Sequence, residues 1–193
     1  MFRKEYFSPI IALAILLGCV FISGCTGQTP ETGEKHEAGF YTYENTQYGF
    51  KINYPDTWTK KENYLADTIV TFMLQTGEIG LSVINGSLSI SVTDVGSMSM
   101  EMFKEYHIEN ISQLYSQIYT DFNISYMNST TLAGLSAYKL IYTYMQGVFT
   151  IEQTEIWTIK DSKLYLLLYI VIEEYCANYV DIIEQMIDSF EIM

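Results

Sequence analysis

The chain has 193 residues, of which 10 are basic and 23 are acidic, and its formal net charge is −13. Arg3 is its only arginine, and arginine is the usual bidentate reader of phosphate and guanine. Because nucleic acids bind through clustered positive charge, we expect no nucleic-acid partner. An anionic membrane surface would also repel this chain, so membrane contact is expected through a lipid alone.

The N-terminus has the features of a bacterial-type lipoprotein signal. Arg3 and Lys4 give a positive start, residues 10–24 are uncharged, and Ile-Ser-Gly-Cys at 22–25 matches a lipobox. Small residues before the cysteine suit a signal peptidase, whose cleft accepts an extended backbone. We predict a signal peptide at residues 1–24 and lipid attachment at Cys25.

Two alternatives stay open for this segment, an uncleaved transmembrane anchor and a cleaved signal without lipid. The apolar run is about 15 residues long, which is short of the roughly 20 needed to span hydrocarbon. It also lacks the basic flank that usually follows a retained helix. These features favour the lipoprotein.

The rest of the chain divides into a tether and one domain. Residues 25–39 are small and polar, and they bury too little apolar surface to offset their ordering entropy. They predict a flexible tether, with His36 as a solvated residue. Residues 40–193 are long enough to form one domain that buries about 68–70% of its unfolded surface. We therefore expect this domain at the outer face of the cytoplasmic membrane, held by the lipid on Cys25.

Cysteine usage agrees with this arrangement. Cys19 would leave with the signal and Cys25 would carry lipid, so Cys176 has no intramolecular disulfide partner in the mature chain. A lone exported thiol can be reactive. Cys176, however, shares a helical stripe with apolar residues, so we predict that it packs as a small buried hydrophobe.

Apolar runs that alternate or are β-branched predict a strand-rich domain. Asn85-Gly86 is a strong type I′ hairpin signal. Three long runs late in the chain are joined by short turns, which predicts an antiparallel meander because parallel neighbours need long crossovers. The predicted strands cover residues 50–54, 68–74, 81–84, 88–92, 137–145, 149–159 and 164–172.

Two segments have the periodicity of amphipathic helices. Ser99 is the predicted N-cap of the first, and Glu173 and Glu174 favour the start of the second. Each apolar face must lie on a sheet, so the predicted fold class is α+β, an antiparallel β-sheet flanked by helices. The two stripes are Phe103, His107, Ile111, Leu114 and Ile118, and then Cys176, Val180, Ile183, Ile187 and Phe190.

The order of these signals resembles that of PsbP-like domains. Residues 48–58, YGFKINYPDTW, are similar to the family's opening GF-x-hydrophobic-x-YP-x-x-W. Residues 99–111 correspond to the helix after the early strands. Residues 132–138 resemble the hydrophobic-x-G-x-x-A-aromatic entry to the meander, and residues 175–190 resemble a closing helix that ends in Ser-Phe. The resemblance covers nearly the whole domain and implies an α/β/α sandwich.

This family is named for an extrinsic subunit of the photosynthetic oxygen-evolving complex. The resemblance implies a mostly non-enzymatic protein that stabilises or helps to assemble a larger complex, in some members near calcium or manganese. The chain departs from photosynthetic members because it lacks a basic docking surface, carries a predicted lipid anchor and has only two histidines. A prokaryotic lipoprotein of the family is therefore implied, and photosynthetic function is not.

The sequence contains no catalytic motif. Nucleophilic catalysis needs a base beside a Ser or Cys, but His36 lies in the tether and His107 lies on an apolar helix stripe. We expect His107 to be a semi-buried residue with its hydrogen bonds satisfied. G-x-S-x-G, Walker and Rossmann patterns do not occur. We predict no catalytic residue, no enzyme activity and no cofactor.

Acidic residues near the C-terminus are the candidates for a metal site. Glu173 and Glu174 with Asp181, or Glu184 with Asp188, could form a surface for a hard cation. Spaced acids also describe an ordinary solvated helix face, and no D-x-D-x-D-G loop is present. We predict no metal ligand, while a weak calcium or manganese site stays open.

Four asparagines, Asn85, Asn110, Asn123 and Asn128, each begin an N-x-S/T sequon. In an exported protein they are candidate N-glycosylation sites, and a glycan would prevent the surrounding surface from binding a partner. Sequons also arise by chance in a chain rich in Asn and Ser. The sequence therefore leaves their use open.

Seventeen tyrosines are the remaining unusual feature of the composition. Those in the meander have mixed parity, so both faces of the sheet are expected to carry some: Tyr138, Tyr142, Tyr144, Tyr165 and Tyr169. They either fill space beneath the helices with their hydroxyls near water or form an exposed aromatic binding surface.

We expect a lipid-anchored accessory or assembly subunit of a membrane complex, with an unidentified protein partner. The alternative is a module at the cell surface that binds a small ligand or a divalent cation. The first predicts co-purification with a membrane protein, whereas the second predicts a ligand-dependent rise in melting temperature.

Overall fold

The computed structural model describes residues 39–74 and 86–193. Within these residues ten strands, two α-helices and one 3₁₀ turn follow each other along the chain. They are β1 Phe40–Asn45, β2 Phe50–Pro55, β3 Trp58–Glu62, β4 Val70–Leu74, β5 Ser87–Asp94, α1 Met100–Ile118, β6 Thr120–Leu132, β7 Leu135–Gln146, β8 Phe149–Lys160, β9 Lys163–Ile172, the 3₁₀ turn Glu173–Tyr175, α2 Cys176–Asp188 and β10 Glu191–Ile192.

The strands form two antiparallel sheets. The larger has seven strands in the order β3-β4-β5-β9-β8-β7-β6, and the smaller has the order β1-β2-β10. The predicted meander is confirmed as β7-β8-β9, because Gln146 pairs with Phe149 and Lys160 with Lys163 across two-residue turns. The α+β class is thereby confirmed, with helices on both faces of an antiparallel sheet.

Two hydrophobic clusters lie on opposite faces of the seven-stranded sheet. In β9, alternate residues belong to alternate clusters: Tyr165 and Leu167 face α2, whereas Leu164 and Ile170 face α1. Helix α2 packs on β2 and β9, and helix α1 packs on β6 and β7. This two-sided burial follows from the period of two in strands. It explains why residues 164–172 form an almost unbroken apolar run.

Helix α1 begins as predicted, since the Ser99 side chain accepts a hydrogen bond from the Met102 backbone N–H at 3.2 Å. Phe103, His107 and Ile111 are buried on its inner face. The predicted end of the stripe is wrong: Tyr115 is buried, whereas Ile118 is 41% exposed. Steps of four residues from Phe103 reach Tyr115, and Leu114 is half-buried and packs against the same cluster as predicted.

Helix α2 buries a narrower stripe than predicted. Ile183 and Met186 are buried within it, and Phe190 is buried just beyond its end. Val180 is 41% exposed, and Cys176, the first residue of the helix, is only half-buried. Glu173 and Glu174 form the 3₁₀ turn that precedes the helix.

Four described strands were not predicted: β1, β3, β6 and β10. Of the predicted Asn85-Gly86 hairpin, Asn85 and residues 81–84 lie outside the described residues. Gly86 is described, with φ +136°, and β5 after it pairs with β4 and β9. The predicted signal peptide and residues 25–38 of the predicted tether also lie outside the described residues. Neither helix of the described part is long and apolar enough to cross a membrane.

Candidate functional site

The predicted site residues that the structure describes lie at the surface. Asn110 is half-buried on α1, where its Nδ2 donates a hydrogen bond to the backbone oxygen of Tyr106 at 2.6 Å. Asn123 and Asn128 are exposed on β6. Cys25 and Asn85 lie outside the described residues. The described sequons therefore differ in accessibility. The Asn110 side chain is hydrogen-bonded within its own helix, whereas Asn123 and Asn128 are exposed.

The acidic residues considered for a metal remain spread along one surface. Glu173, Glu174, Asp181, Glu184 and Asp188 are all exposed. Within residues 39–74 and 86–193, no three His, Cys, Asp or Glu side chains are arranged to hold a metal ion. The geometry of this surface thus gives no support to the calcium or manganese site that the sequence left open.

Cys176 lies in a polar setting at the start of α2. Its Sγ donates a hydrogen bond to Oε1 of Glu152 on β8, at 3.1 Å. Burial, together with the neighbouring Glu152 carboxylate, raises the pKa of Cys176 to about 12. The thiol is therefore protonated at neutral pH and is a poor nucleophile.

His107 lies inside the protein between α1 and β8. Only 7% of the residue is exposed, and its Nε2 lies 2.5 Å from Oε2 of Glu155. Its ring stacks on Phe103 with centroids 4.9 Å apart, and it meets the edge of Trp157 at 5.3 Å. His107 thus has the hydrogen-bond partner that was predicted, but it is buried more deeply than the semi-buried position expected from the sequence.

Glu155 links His107 to a buried polar network on the inner side of α1. The Tyr142 hydroxyl lies 2.8 Å from Oε1 of Glu155 and also contacts Oε1 of Gln153. A hydroxyl carries one proton, so Tyr142 can donate to only one of these oxygens at a time. Glu155 and Gln153 are each 1% exposed. Their side chains therefore depend on partners within the fold for hydrogen bonds: Tyr142 for both, and His107 in addition for Glu155.

Gln153 extends the network to two more tyrosines. Tyr115 on α1 donates to Oε1 of Gln153 at 3.1 Å, and Nε2 of Gln153 donates to the Tyr144 hydroxyl at 2.9 Å. Burial is the main cause that raises the pKa of Tyr115, Tyr142 and Tyr144 well above the ordinary value. The phenols therefore stay neutral and available as donors.

This network joins helix α1 to the sheet, and its members on β8 are buried. Sequence reasoning missed Gln153 and Glu155, although a signal was present. Every second residue of β8 from Ile151 to Trp157 faces α1, and the two polar residues interrupt an otherwise apolar row. Buried polar groups at such positions must find partners within the fold. The tyrosines, which sit opposite on β7 and α1, provide them.

The tyrosines of the meander fill both faces of the sheet, as expected. Tyr142 and Tyr144 belong to the cluster under α1, whereas Tyr165 and Tyr169 belong to the cluster under α2. Tyr138 is half-buried and donates to the exposed carboxylate of Glu101. These five rings therefore serve packing, and they do not form an exposed aromatic surface.

The two edges of the seven-stranded sheet differ in how they are protected. At one edge, β3 has five residues and includes Lys60 and Lys61. At the other, β6 has 13 residues, and Asp121 is its single charged residue. Short length and lysines are common means by which edge strands avoid pairing with other chains. Strand β6 lacks both, so it is the candidate interaction edge of the described sheet.

The sheet face beside this edge, on the side opposite α1, is only partly covered. Residue pairing places Asn123 beside Thr143, Tyr126 beside Ile141, and Asn128 beside Lys139. The three β6 residues are exposed, Tyr126 by 43%, and their β7 neighbours are half-buried. Helix α2 contacts β9, which is separated from β6 by the two strands β7 and β8. Both sequons of β6 thus lie on this open face, on either side of Tyr126.

A shallow cleft of about 460 Å³ lies near the end of α2. The turn between β6 and β7 forms one wall, and residues 187–192 form the other. The lining is mixed, with Leu132 and Phe190 beside Asp188 and Glu191. It holds no cluster of catalytic or metal-binding side chains, so it suggests no particular ligand.

Comparisons with known proteins agree with this architecture. A family model described as PsbP-like protein matches residues 10–192. The solution structure of cyanobacterial PsbP (CyanoP) from Synechocystis sp. PCC 6803 superposes with a TM-score of 0.64 at 16% identity, over 86% of this chain and 98% of that chain. Comparison with curated proteins gives no match.

Two further solved structures have the same fold. LpqN of Mycobacterium tuberculosis, described as involved in cell envelope biogenesis, has a TM-score of 0.55 at 12% identity, over 75% of this chain and 83% of that chain. The Ran-binding protein Mog1p of Saccharomyces cerevisiae has a TM-score of 0.54 at 9% identity, over 79% of this chain and 95% of that chain. At such identities these likenesses concern the fold alone.

Proposed function

The chain belongs to the PsbP-like protein family, and we propose that it is a lipid-anchored extracytoplasmic protein that acts as a non-catalytic accessory or assembly subunit of a membrane complex. In this proposal the signal peptide of residues 1–24 directs export, and lipid on Cys25 holds the domain at the outer face of the cytoplasmic membrane. A lipobox cysteine with two or more acyl chains would anchor durably, whereas one chain binds reversibly.

The observation that carries the non-catalytic part of the proposal is the internal pairing of His107 with Glu155. In the described residues, His107 is the one histidine that could act as a base, and it is buried against a carboxylate and two aromatic rings. The Cys176 thiol is also bound to a carboxylate and is protonated. What this domain offers to other molecules is therefore its surface.

One structural relative supports the envelope location by analogy. LpqN is described as involved in cell envelope biogenesis, and CyanoP is a cyanobacterial PsbP protein. From the family resemblance we propose that this chain works beside a larger assembly at a membrane. This proposal rests on the family and the fold, and the partner is to be identified by experiment.

The test is affinity purification of the native protein from detergent-solubilised membranes of its own host. A C-terminal tag is required because the N-terminus would be cleaved, and the exposed side chain of Met193 shows that this end lies at the surface. The matched control is Cys25→Ser, which removes the lipid site and changes nothing in the described domain. We expect a stoichiometric membrane protein with the native chain and its loss with the control.

Three results would contradict the proposal. The native chain could be recovered alone, or the Cys25→Ser chain could remain in the membrane fraction, or the mass of the mature N-terminal peptide could show no lipid. The cation-binding alternative is tested on the same preparation by thermal unfolding with added calcium or manganese. A saturable rise in melting temperature would support that alternative, because a ligand that binds only the folded state stabilises it.

A further inference from the structure

We propose that β6 is a self-association edge, at which two copies of this chain pair their β6 strands antiparallel about a two-fold axis. The inference goes beyond the proposed function, because it names a surface and an occupant that the accessory role does not require. An antiparallel edge is self-complementary, since the same patch on each copy can meet the other across a two-fold axis. Pairing would join two seven-stranded sheets into one continuous sheet.

The second half of β6 has the regular geometry that pairing needs. From Tyr126 to Leu132 each residue has a partner on β7 without a register shift, whereas shifts occur between Thr120 and Asn123 and between Ile124 and Tyr126. Bulges that twist an edge are one protection against pairing. They are confined to the first half of β6, so residues 126–132 form a regularly paired segment without bulges.

The charge on this segment also permits a second copy. Residues 126–132 read YMNSTTL and carry no charge, although the chain as a whole has a formal charge of −13. Two copies would therefore repel each other at long range but meet no like charges at the paired strands. A partner strand of strongly basic or acidic sequence would gain no ion pair here. An identical uncharged strand fits the edge.

Apolar side chains at the rim indicate that this edge of the core is incomplete. Phe122, Ile124 and Met127 on β6 pack against the cluster under α1, yet all three are only half-buried. In the middle of the same sheet, Leu140 and Ile151 of that cluster are fully buried. A neighbouring strand beside residues 126–132 would cover Met127 and remove its apolar surface from water, whereas Phe122 and Ile124 lie outside this segment.

Confinement of the chain to a membrane would raise the effective concentration of the two edges. The pairing is therefore expected on membranes even where it is weak in dilute solution. In this respect alone the inference rests on the proposed lipid anchor.

The first experiment measures the mass of the full chain, purified in detergent, by sedimentation. We expect a dimer whose population increases with salt, because salt screens the repulsion between two acidic domains. The test variant is Asn128→Lys with Thr130→Lys, which gives β6 the kind of lysine protection that β3 has. Both positions are exposed, so folding should be retained, and the dissociation constant should rise at least about tenfold because like charges would face each other.

The matched control is Asn178→Lys with Gln185→Lys. It adds the same charge on exposed positions of α2, and we expect the dimer to be unchanged or slightly strengthened. A second experiment introduces Ser129→Cys and joins copies in native membranes with a thiol cross-linker. Covalent dimers are expected, and Lys61→Cys on the opposite edge should give none. Because these measurements follow the chain itself, they can succeed even if the search for a membrane partner fails.

Four outcomes would overturn the inference. The chain could be a monomer at every salt concentration with no Ser129→Cys cross-link, or the two lysine variants could have equal effects. Position 129 could instead cross-link to a different protein, which would make β6 the edge for a foreign strand. An N-glycan on Asn123 or Asn128 of the native chain would occupy the open face beside the edge and exclude the pairing.

Discussion

His107 on α1 and Glu155 on β8 are 48 residues apart in sequence, and their side chains meet at 2.5 Å inside the protein. Glu155 is 1% exposed, so its carboxylate has the His107 imidazole and the Tyr142 hydroxyl as hydrogen-bond partners in place of water. Removing one member of a buried ionisable pair is strongly destabilising because the other member remains buried without a partner. The pair therefore couples the position of helix α1 to the sheet.

Replacement of Glu155 should expose this coupling. We expect Glu155→Ala to lower the free energy of unfolding by about 3–5 kcal/mol, as measured by urea denaturation. Glu105→Ala, on the exposed side of the same helix as His107, is the matched control and should have little effect. Equal effects of the two substitutions would show that the pair does not stabilise the fold.

The tyrosine hydroxyls of β7 offer a finer comparison on one strand. Tyr142→Phe removes the hydroxyl that contacts both Gln153 and Glu155 in the interior, and we expect a loss of about 1–3 kcal/mol. Tyr138→Phe removes a hydroxyl that bonds the exposed Glu101, and its effect should be clearly smaller. If Tyr138→Phe lowered the free energy of unfolding more than Tyr142→Phe does, burial would not determine how much each hydroxyl contributes to stability.

The buried phenols also predict a loss of stability at alkaline pH. Burial raises the pKa of Tyr115 and Tyr142 in the folded chain, so the unfolded chain loses these protons first. Their contribution is complete below the ordinary tyrosine pKa of about 10 and decreases as the pH rises above it. Urea unfolding from about pH 8 to pH 11 should show this decrease, and Tyr142→Phe should flatten it. A free energy of unfolding that increased above pH 10 would contradict this prediction.

Cys176 should react slowly with alkylating reagents in the folded state. With its pKa raised to about 12, the thiolate at neutral pH is on the order of a thousandfold rarer than for an ordinary cysteine. Glu152→Gln removes the carboxylate that accepts the hydrogen bond of the Cys176 thiol, so the pKa of Cys176 should fall and alkylation should accelerate. Mass spectrometry after timed alkylation measures both rates. Rapid alkylation of Cys176 in the native chain would contradict the raised pKa of its thiol and the hydrogen bond to Glu152.

Glycan occupancy should follow the surroundings of each sequon. If the native host attaches N-glycans and β6 is not paired with a second copy, we expect them on the exposed Asn123 and Asn128, and less on Asn110, whose Nδ2 bonds the Tyr106 backbone oxygen. Glycopeptide mass spectrometry of the membrane-extracted protein measures all three sites. Asn123→Gln and Asn128→Gln should each remove one glycan mass. Occupancy of Asn110 alone would be contrary to this prediction.

Local sequence signals were sufficient for a large part of this fold. The meander β7-β8-β9 and the Ser99 cap of α1 depend on alternation, turn residues and a capping side chain, all of which operate between neighbours in sequence. The family resemblance rests on the same kind of signal, because Gly49, with φ +73°, and Pro55 mark the turn before β2 and its end. Such features require no knowledge of distant partners.

Strand β6 shows what local patterns could not give. Its 13 residues mix Asn, Ser and Thr with few apolar side chains, and only the last of them, Leu132, is buried, because the strand lies at an edge of the sheet. A strand of this kind is specified by its pairing with β7, which is a tertiary relationship. The same holds for Glu155, whose burial depends on the arrival of α1 above β8.

The sequence by itself determined the predicted export and anchoring signals, the positions of both helices and the α+β class, since these depend on composition and short-range periodicity. Only the tertiary structure decided that β6 is the long unprotected edge, that Asn123 and Asn128 share its open face, and that His107 is engaged by Glu155. These facts depend on which strands become neighbours. Strand order is set by the packing of side chains far apart in the chain, so no local pattern records it.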